Sequence, residues 1–128
     1  MSPTPVLERE LDRLEALWDE GLADCYHSYL ETMDSAGDPE LRPRLALAAA
    51  LVEVGIRLQG LGGAAAPAPA LLMGDLCLAR SSRILTDSAT RAVQVAFARA
   101  VEEMSSAAAS GREASPVRDL LARALAAR

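Results

Sequence analysis

The residues best placed to do chemistry surround the single histidine. Asp24, His27 and Glu31 stand three and four positions apart, a spacing that gathers them on one face of a helix. Acid–base or nucleophilic catalysis needs a nucleophile, a base and a group that orients the base. A histidine flanked by acids on a solvated surface accounts for the same three residues equally well. Cys25 and Cys77 lie on apolar stripes with no CxxC pair, and with one histidine no multi-ligand zinc site or disulfide scaffold follows. The Gly60-Leu61-Gly62-Gly63 run closes a helix and passes into Ala and Pro, whereas a phosphate loop must open one.

Two further pairs stand out. Glu53 and Arg57 have the favourable i, i+4 order, worth about 0.3–0.5 kcal/mol as an exposed ion pair. They sit on a nearly all-apolar helix, where the same pair could instead line a cavity or meet a partner. Gly74-Asp75 interrupts another apolar helix. Glycine there costs about 1 kcal/mol relative to alanine, and close packing against a second helix is the compensation expected.

The elements that must position these residues are helical. The chain has 128 residues, 51% of them hydrophobic and only 3% aromatic, which suits one modest domain with an aliphatic core. Alanine (26 residues) and arginine (13, with no lysine) dominate, and β-branched residues are scarce, so an all-α fold is expected and a sheet is not. The net charge of −5 and the scarcity of aromatics remove the phosphate-neutralising patch and stacking platforms of nucleic-acid binders. The first residues show neither a basic stretch nor an apolar core of a secretion signal, so a cytoplasmic protein is expected. The longest apolar run, Leu45 to Val52, falls far short of the roughly 20 residues of a membrane span.

Pattern and punctuation predict a single bundle of about five helices, over residues 5–33, 43–60, 70–85, 87–107 and 116–126. Thr4 and Pro5 suit the first start, and Gly21 falls where that helix can divide. Leu47, Leu51, Val54 and Leu58 give the second helix its stripe, and Gly60 stops it. Thr86 or Asp87 can cap the fourth helix, whose buried stripe is Val93, Phe97, Ala100, Val101 and Met104. Residues 105–115 read as loop-like at their centre, and Pro116 opens the last helix. The third helix is apolar nearly all round for two turns, which marks an interaction surface.

The stretch ALLMGDLCLARSSRIL (Ala70 to Leu85) resembles the Gly-Asp helix of the trans-polyprenyl diphosphate synthases. LRPRLALAAALVEV (Leu41 to Val54) is similar to that family's Arg-Pro start of a long helix. By the resemblance, Arg42-Pro43 falls on the isopentenyl diphosphate site, while Pro39 stands where the family has lysine. Catalytic members end the helix after the Val52-Glu53 pair in DDxxD, whose carboxylates hold Mg2+ and the allylic diphosphate. Here the matching stretch is GLGGAAAP (Gly60 to Pro67), and the second aspartate-rich motif has no counterpart. The order of elements, over roughly Val6 to Ser106, is similar to the short subunit of heterodimeric bacterial synthases.

The resemblance implies a truncated isoprenoid-synthase bundle that is not catalytic alone. The chain would bind no cofactor itself, and Mg2+ would belong to a catalytic large subunit that is its partner in a heterodimer or higher assembly. It would complete the interface and help set product chain length. Leu72, Gly74, Asp75, Leu76, Phe97 and Val101 on helices three and four are the expected interface, and Glu53 and Arg57 the expected cavity or tunnel lining. At Arg42 the residues themselves point away from the resemblance: with Pro39 in place of the family's lysine, a lone exposed arginine holds a diphosphate weakly, so Arg42 is expected to be a helix-start or interface residue that binds none. Two readings from other classes stand beside it: a helical adaptor that self-associates through helices three and four, and a carrier with a hydrophobic pocket among helices one to three.

Overall fold

The computed structural model describes residues 16–33, 39–60, 68–112 and 116–128, and every regular element among them is helical. Five helices follow in order: α1 (Ala23–Thr32), α2 (Leu41–Gln59), α3 (Ala68–Ser88), α4 (Arg91–Ser110) and α5 (Val117–Leu125). A five-residue π turn, Trp18–Leu22, leads into α1. The division expected at Gly21 is there: Gly21 has φ of 130°, a value open to glycine at little cost, and the helical path kinks through it. The start expected at Thr4 and Pro5 lies outside the described residues.

The centre of the bundle is α2. Its residues from Leu45 to Ile56 are buried except Leu47, which is half-buried, and α1, α3 and α5 all pack on it. Pro43 falls inside the first turn of α2, where a missing N–H costs no intrahelical bond. Gly60 ends α2 in the left-handed conformation and returns its N–H to the carbonyl of Arg57.

Three helix boundaries differ from expectation. The third helix begins at Ala68 and runs through Ser88, with Pro69 accommodated in its opening turn. Thr90, rather than Thr86 or Asp87, caps α4 by accepting from the N–H of Val93 at 3.2 Å. Asp87 instead accepts from Arg83, and Thr86 donates back to the carbonyl of Ser82, so both remain part of α3. The Ser105–Ser110 stretch is helix, because Ala107 buries on the core side and nothing breaks the ladder before Gly111, which ends α4 left-handed.

The seam between α2 and α3 explains the glycine inside α3. A Cβ placed on Gly74 would stand 2.9 Å from the carbonyl oxygen of Gly55 and 2.6 Å from Cγ of Gln59. One placed on Gly55 would meet the Gly74 carbonyl at 3.1 Å and Cβ of Cys77 at 3.2 Å. The two backbones are therefore in direct contact, and only a hydrogen atom fits at the crossing. Further along, the Ser81 hydroxyl donates to the carbonyl of Ala48 at 2.8 Å, satisfying the one buried polar group that α3 brings to this seam.

Candidate functional site

Glu53 is the one acid in the eleven-residue buried stretch of α2, and its side chain is 2% exposed. Four side chains converge on it. Cys25 and Tyr29, one turn apart on α1, face α2 at the same level. The Cys25 thiol donates to Oε2 at 3.0 Å and the Tyr29 hydroxyl to Oε1 at 2.7 Å. Arg57, one turn on along α2, donates to Oε2. Arg118, near the start of α5, grips both oxygens: Nη2 to Oε2 at 2.9 Å and Nε to Oε1 at 3.2 Å. Its guanidinium carbon also stands 5.8 Å from the centre of the Tyr29 ring, and Nη1 reaches the Ser28 hydroxyl at 3.4 Å.

The electrostatics follow from this crowding. Burial acts to raise the Glu53 pKa. Hydrogen bonds from Arg118, Cys25 and Tyr29, with the charge of Arg57, outweigh it and hold the carboxyl at about 2. Burial pushes the Cys25 thiol up, and the Glu53 hydrogen bond and charge add to that rise against the two arginines. Burial, then the Glu53 hydrogen bond and charge, push the Tyr29 hydroxyl up against the charge of Arg118. Burial alone moves Cys77 up to about 11. A carboxylate this strongly ionised is no proton donor near neutrality, and thiols this protonated are poor nucleophiles. The cluster fastens α1, α2 and α5 together.

Of the two expected lining residues, Glu53 is interior, while Arg57 is 62% exposed and covers Glu53 from the solvent side. Sequence reasoning found this pair but missed its other partners. The signals for two of them were present: Cys25 and Tyr29 share a stripe at helical spacing, and an acid within an apolar run needs buried donors. His27 is exposed, and its ring packs against Tyr26 and Trp18 at centroid distances of 5.1 and 6.2 Å. These contacts make it part of a surface aromatic group.

The six expected interface residues divide into three settings. Leu72 is 62% exposed, and Leu71 beside it is also exposed, while Leu76 is half-buried. Gly74 and Asp75 are engaged within the chain: Gly74 lies in the α2–α3 seam, and Asp75 accepts from Gln59 Nε2 at 2.5 Å. Gly74 thus permits the close approach of α2. Phe97 belongs to the core. With Val101, Leu78, Leu85 and Val52 it forms the wall of a groove of about 410 Å3 between α3 and α4. Arg42 starts α2, as its position suggested: Nη2 donates to the carbonyl of Leu30 at 2.6 Å and ties the end of α1 to α2.

Among the described residues no group of three or more His, Cys, Asp or Glu could hold a metal ion, and no helix is long and apolar enough to cross a membrane. No family model, curated protein or solved structure matches the chain.

Proposed function

We propose that this chain is the non-catalytic subunit of a heterodimeric long-chain polyprenyl diphosphate synthase, and that the outer side of α3 is where the catalytic subunit docks. One structural observation carries the docking part. The first two turns of α3 are close-packed on one side against α2 while Leu71 and Leu72 stand exposed on the other, and a mostly apolar groove opens between the second half of α3 and α4. The synthase identity rests on the resemblance of Leu41–Val54 and Ala70–Leu85 to that family. On this reading the partner condenses isopentenyl diphosphate with an allylic diphosphate using its own Mg2+ in the cytoplasm. This chain shapes the surface that limits product length.

The test is co-expression with a candidate catalytic chain that carries two DDxxD motifs, followed by a product assay. The expected result is a stable complex whose product length differs from that of the catalytic chain alone, and no prenyl product from this chain alone. Leu72→Asp, at a position too exposed to affect folding, should abolish the complex by placing a charge in a desolvated contact. Metal-dependent product from the pure chain, or a complex indifferent to Leu72→Asp, would overturn the reading.

A further inference from the structure

Arg57, Arg83, Arg112 and Arg118 each stand against a carboxylate of this chain. Four other arginines gather in one place and have no carboxylate partner among the described residues. They line a groove of about 820 Å3 between α4 and α5, with Arg91 and Arg99 on one wall and Arg123 and Arg128 on the other. Its floor is apolar, with Val95 exposed among alanines. Glu103 is the one acid along it among the described residues, and Arg112 already faces that carboxylate at 3.9 Å. Four arginines around an apolar trough repel one another unless an anionic surface covers them, and for the same reason two such grooves repel each other.

A surface of matching chemistry lies on α1. Asp24, His27 and Glu31 are exposed along one ridge of that helix, and neither acid has a cationic partner among the described residues. The His27 ring joins the exposed Trp18 and the half-buried Tyr26, so aromatic groups that attract guanidinium border the two carboxylates. The seven-residue step from Asp24 to Glu31 covers about 10 Å of helix axis, and the eight-residue step from Arg91 to Arg99 about 12 Å. We propose that the α4–α5 groove of one copy receives the α1 ridge of a second copy, carboxylates and rings against arginines. One chain cannot make this contact with itself. α5 packs against both α1 and α4, which do not pack against each other, so α5 separates the ridge from its own groove. The same placement lets a two-fold axis over α5 bring each ridge to the other copy's groove, which closes the pair. α3 packs against neither α1 nor α5, so this contact leaves the outer side of α3 free and does not rest on the synthase reading.

The experiment is sedimentation of the full chain with two complementary charge reversals at exposed positions. Arg99→Glu/Arg123→Glu makes the groove acidic, and Asp24→Arg/Glu31→Arg makes the ridge basic. The wild type should be a dimer at low salt and dissociate as salt rises. Each variant alone should be a monomer with the helical circular dichroism of the wild type. An equimolar mixture should recover the dimer, because every groove then again faces a ridge of opposite charge. Trp18 is the only tryptophan of the chain, so its emission should move to shorter wavelength as the dimer forms and stay in place for either variant alone. A monomeric wild type would overturn the proposal and leave the groove to an acidic segment of another protein. So would a dimer unchanged by either reversal, a mixture that stays monomeric, or a dimer that forms without moving the Trp18 emission.

Discussion

The α2–α3 seam and the Glu53 cluster hold helices to the same central α2 by opposite means. At the seam, Gly55 and Gly74 bring two long helices into backbone contact, and the bond of Ser81 to Ala48 is its one buried side-chain hydrogen bond among the described residues. At the cluster, a buried carboxylate collects donors from three helices. The difference follows from length. The 21-residue α3 has surface enough to be held by shape alone, with dispersion and apolar burial summed along the crossing. The nine-residue α5 is too short to be stable alone and brings only Leu121 and Ala124 fully into the core, so a charged anchor fixes it. The seam should therefore respond to volume and ignore charge, and the cluster should do the reverse.

The largest expected effect is Gly74→Leu. Every rotamer begins from a Cβ 2.9 Å from a backbone oxygen that cannot step aside, so α3 must lift off α2. A loss of more than about 4 kcal/mol is expected in urea unfolding, enough to leave much of a small domain unfolded. A variant within about 1 kcal/mol of wild type would mean that the two helices are not pressed together as described.

Glu53→Gln conserves volume and removes charge, so it attacks the cluster alone. It leaves two arginines facing each other across a neutral amide, and the expected loss is about 3 kcal/mol at neutral pH, softened by the solvent access both arginines keep. The same interaction should appear as a pH dependence. The Glu53 carboxyl is held at about 2 in the folded chain against an ordinary 4.5, so its contribution is fully present above pH 4.5 and lost as pH falls toward 2. That shift corresponds to about 3 kcal/mol. Urea titrations across this window should show the wild type falling toward the variant, and parallel curves would remove Glu53 as the anchor.

The next effect separates the two arginines. Arg118 is 43% exposed and grips both carboxylate oxygens from another helix, whereas Arg57 is 62% exposed and only one turn away on α2 itself. Arg118→Met should cost about 2 kcal/mol and raise hydrogen exchange across α5, while Arg57→Met should cost about 1 kcal/mol and leave α5 protected. Equal losses with equal exchange would show that the cluster neutralises Glu53 without fastening α5.

How much of this was legible in the sequence depends on how far apart the interacting residues lie. The spacing of Leu47, Leu51, Val54 and Leu58 with the Gly60 stop gives α2, and a glycine within an apolar helix announces a close approach, as Gly74 does. Both are local patterns. The helix that approaches Gly74 was not local: it is α2, at Gly55, and a close-approach signal in one helix does not say which other helix approaches. Glu53–Arg57 was visible as an i, i+4 pair, but Arg118 is 65 positions away and sits in a short polar helix with nothing to mark its target. The helix ends at Ser88 and Ser110 were missed for a different reason. Ala- and Ser-rich stretches without a breaker before Gly111 leave the ladder free to continue, and the caps that end it are chosen by tertiary fit.

The smallest expected effect is Ser81→Ala, the sharpest check that the seam is held by shape. The Ser81 hydroxyl is buried, and its bond to the carbonyl of Ala48 looks at first like a second polar anchor, comparable with the Glu53 cluster. The comparison fails on what is left behind. The Ala48 carbonyl lies mid-helix in α2, where its intrahelical partner still satisfies it, so removing the hydroxyl strands no buried charge and no lone donor. Alanine also has the better helix propensity, by about 0.5 kcal/mol, and occupies almost the same space. The net loss should stay below about 1 kcal/mol, a small shift of the urea midpoint with an unchanged slope. A loss equal to that of Glu53→Gln would show that α3 too is held by a polar bond, and the contrast between the two sides of α2 would disappear.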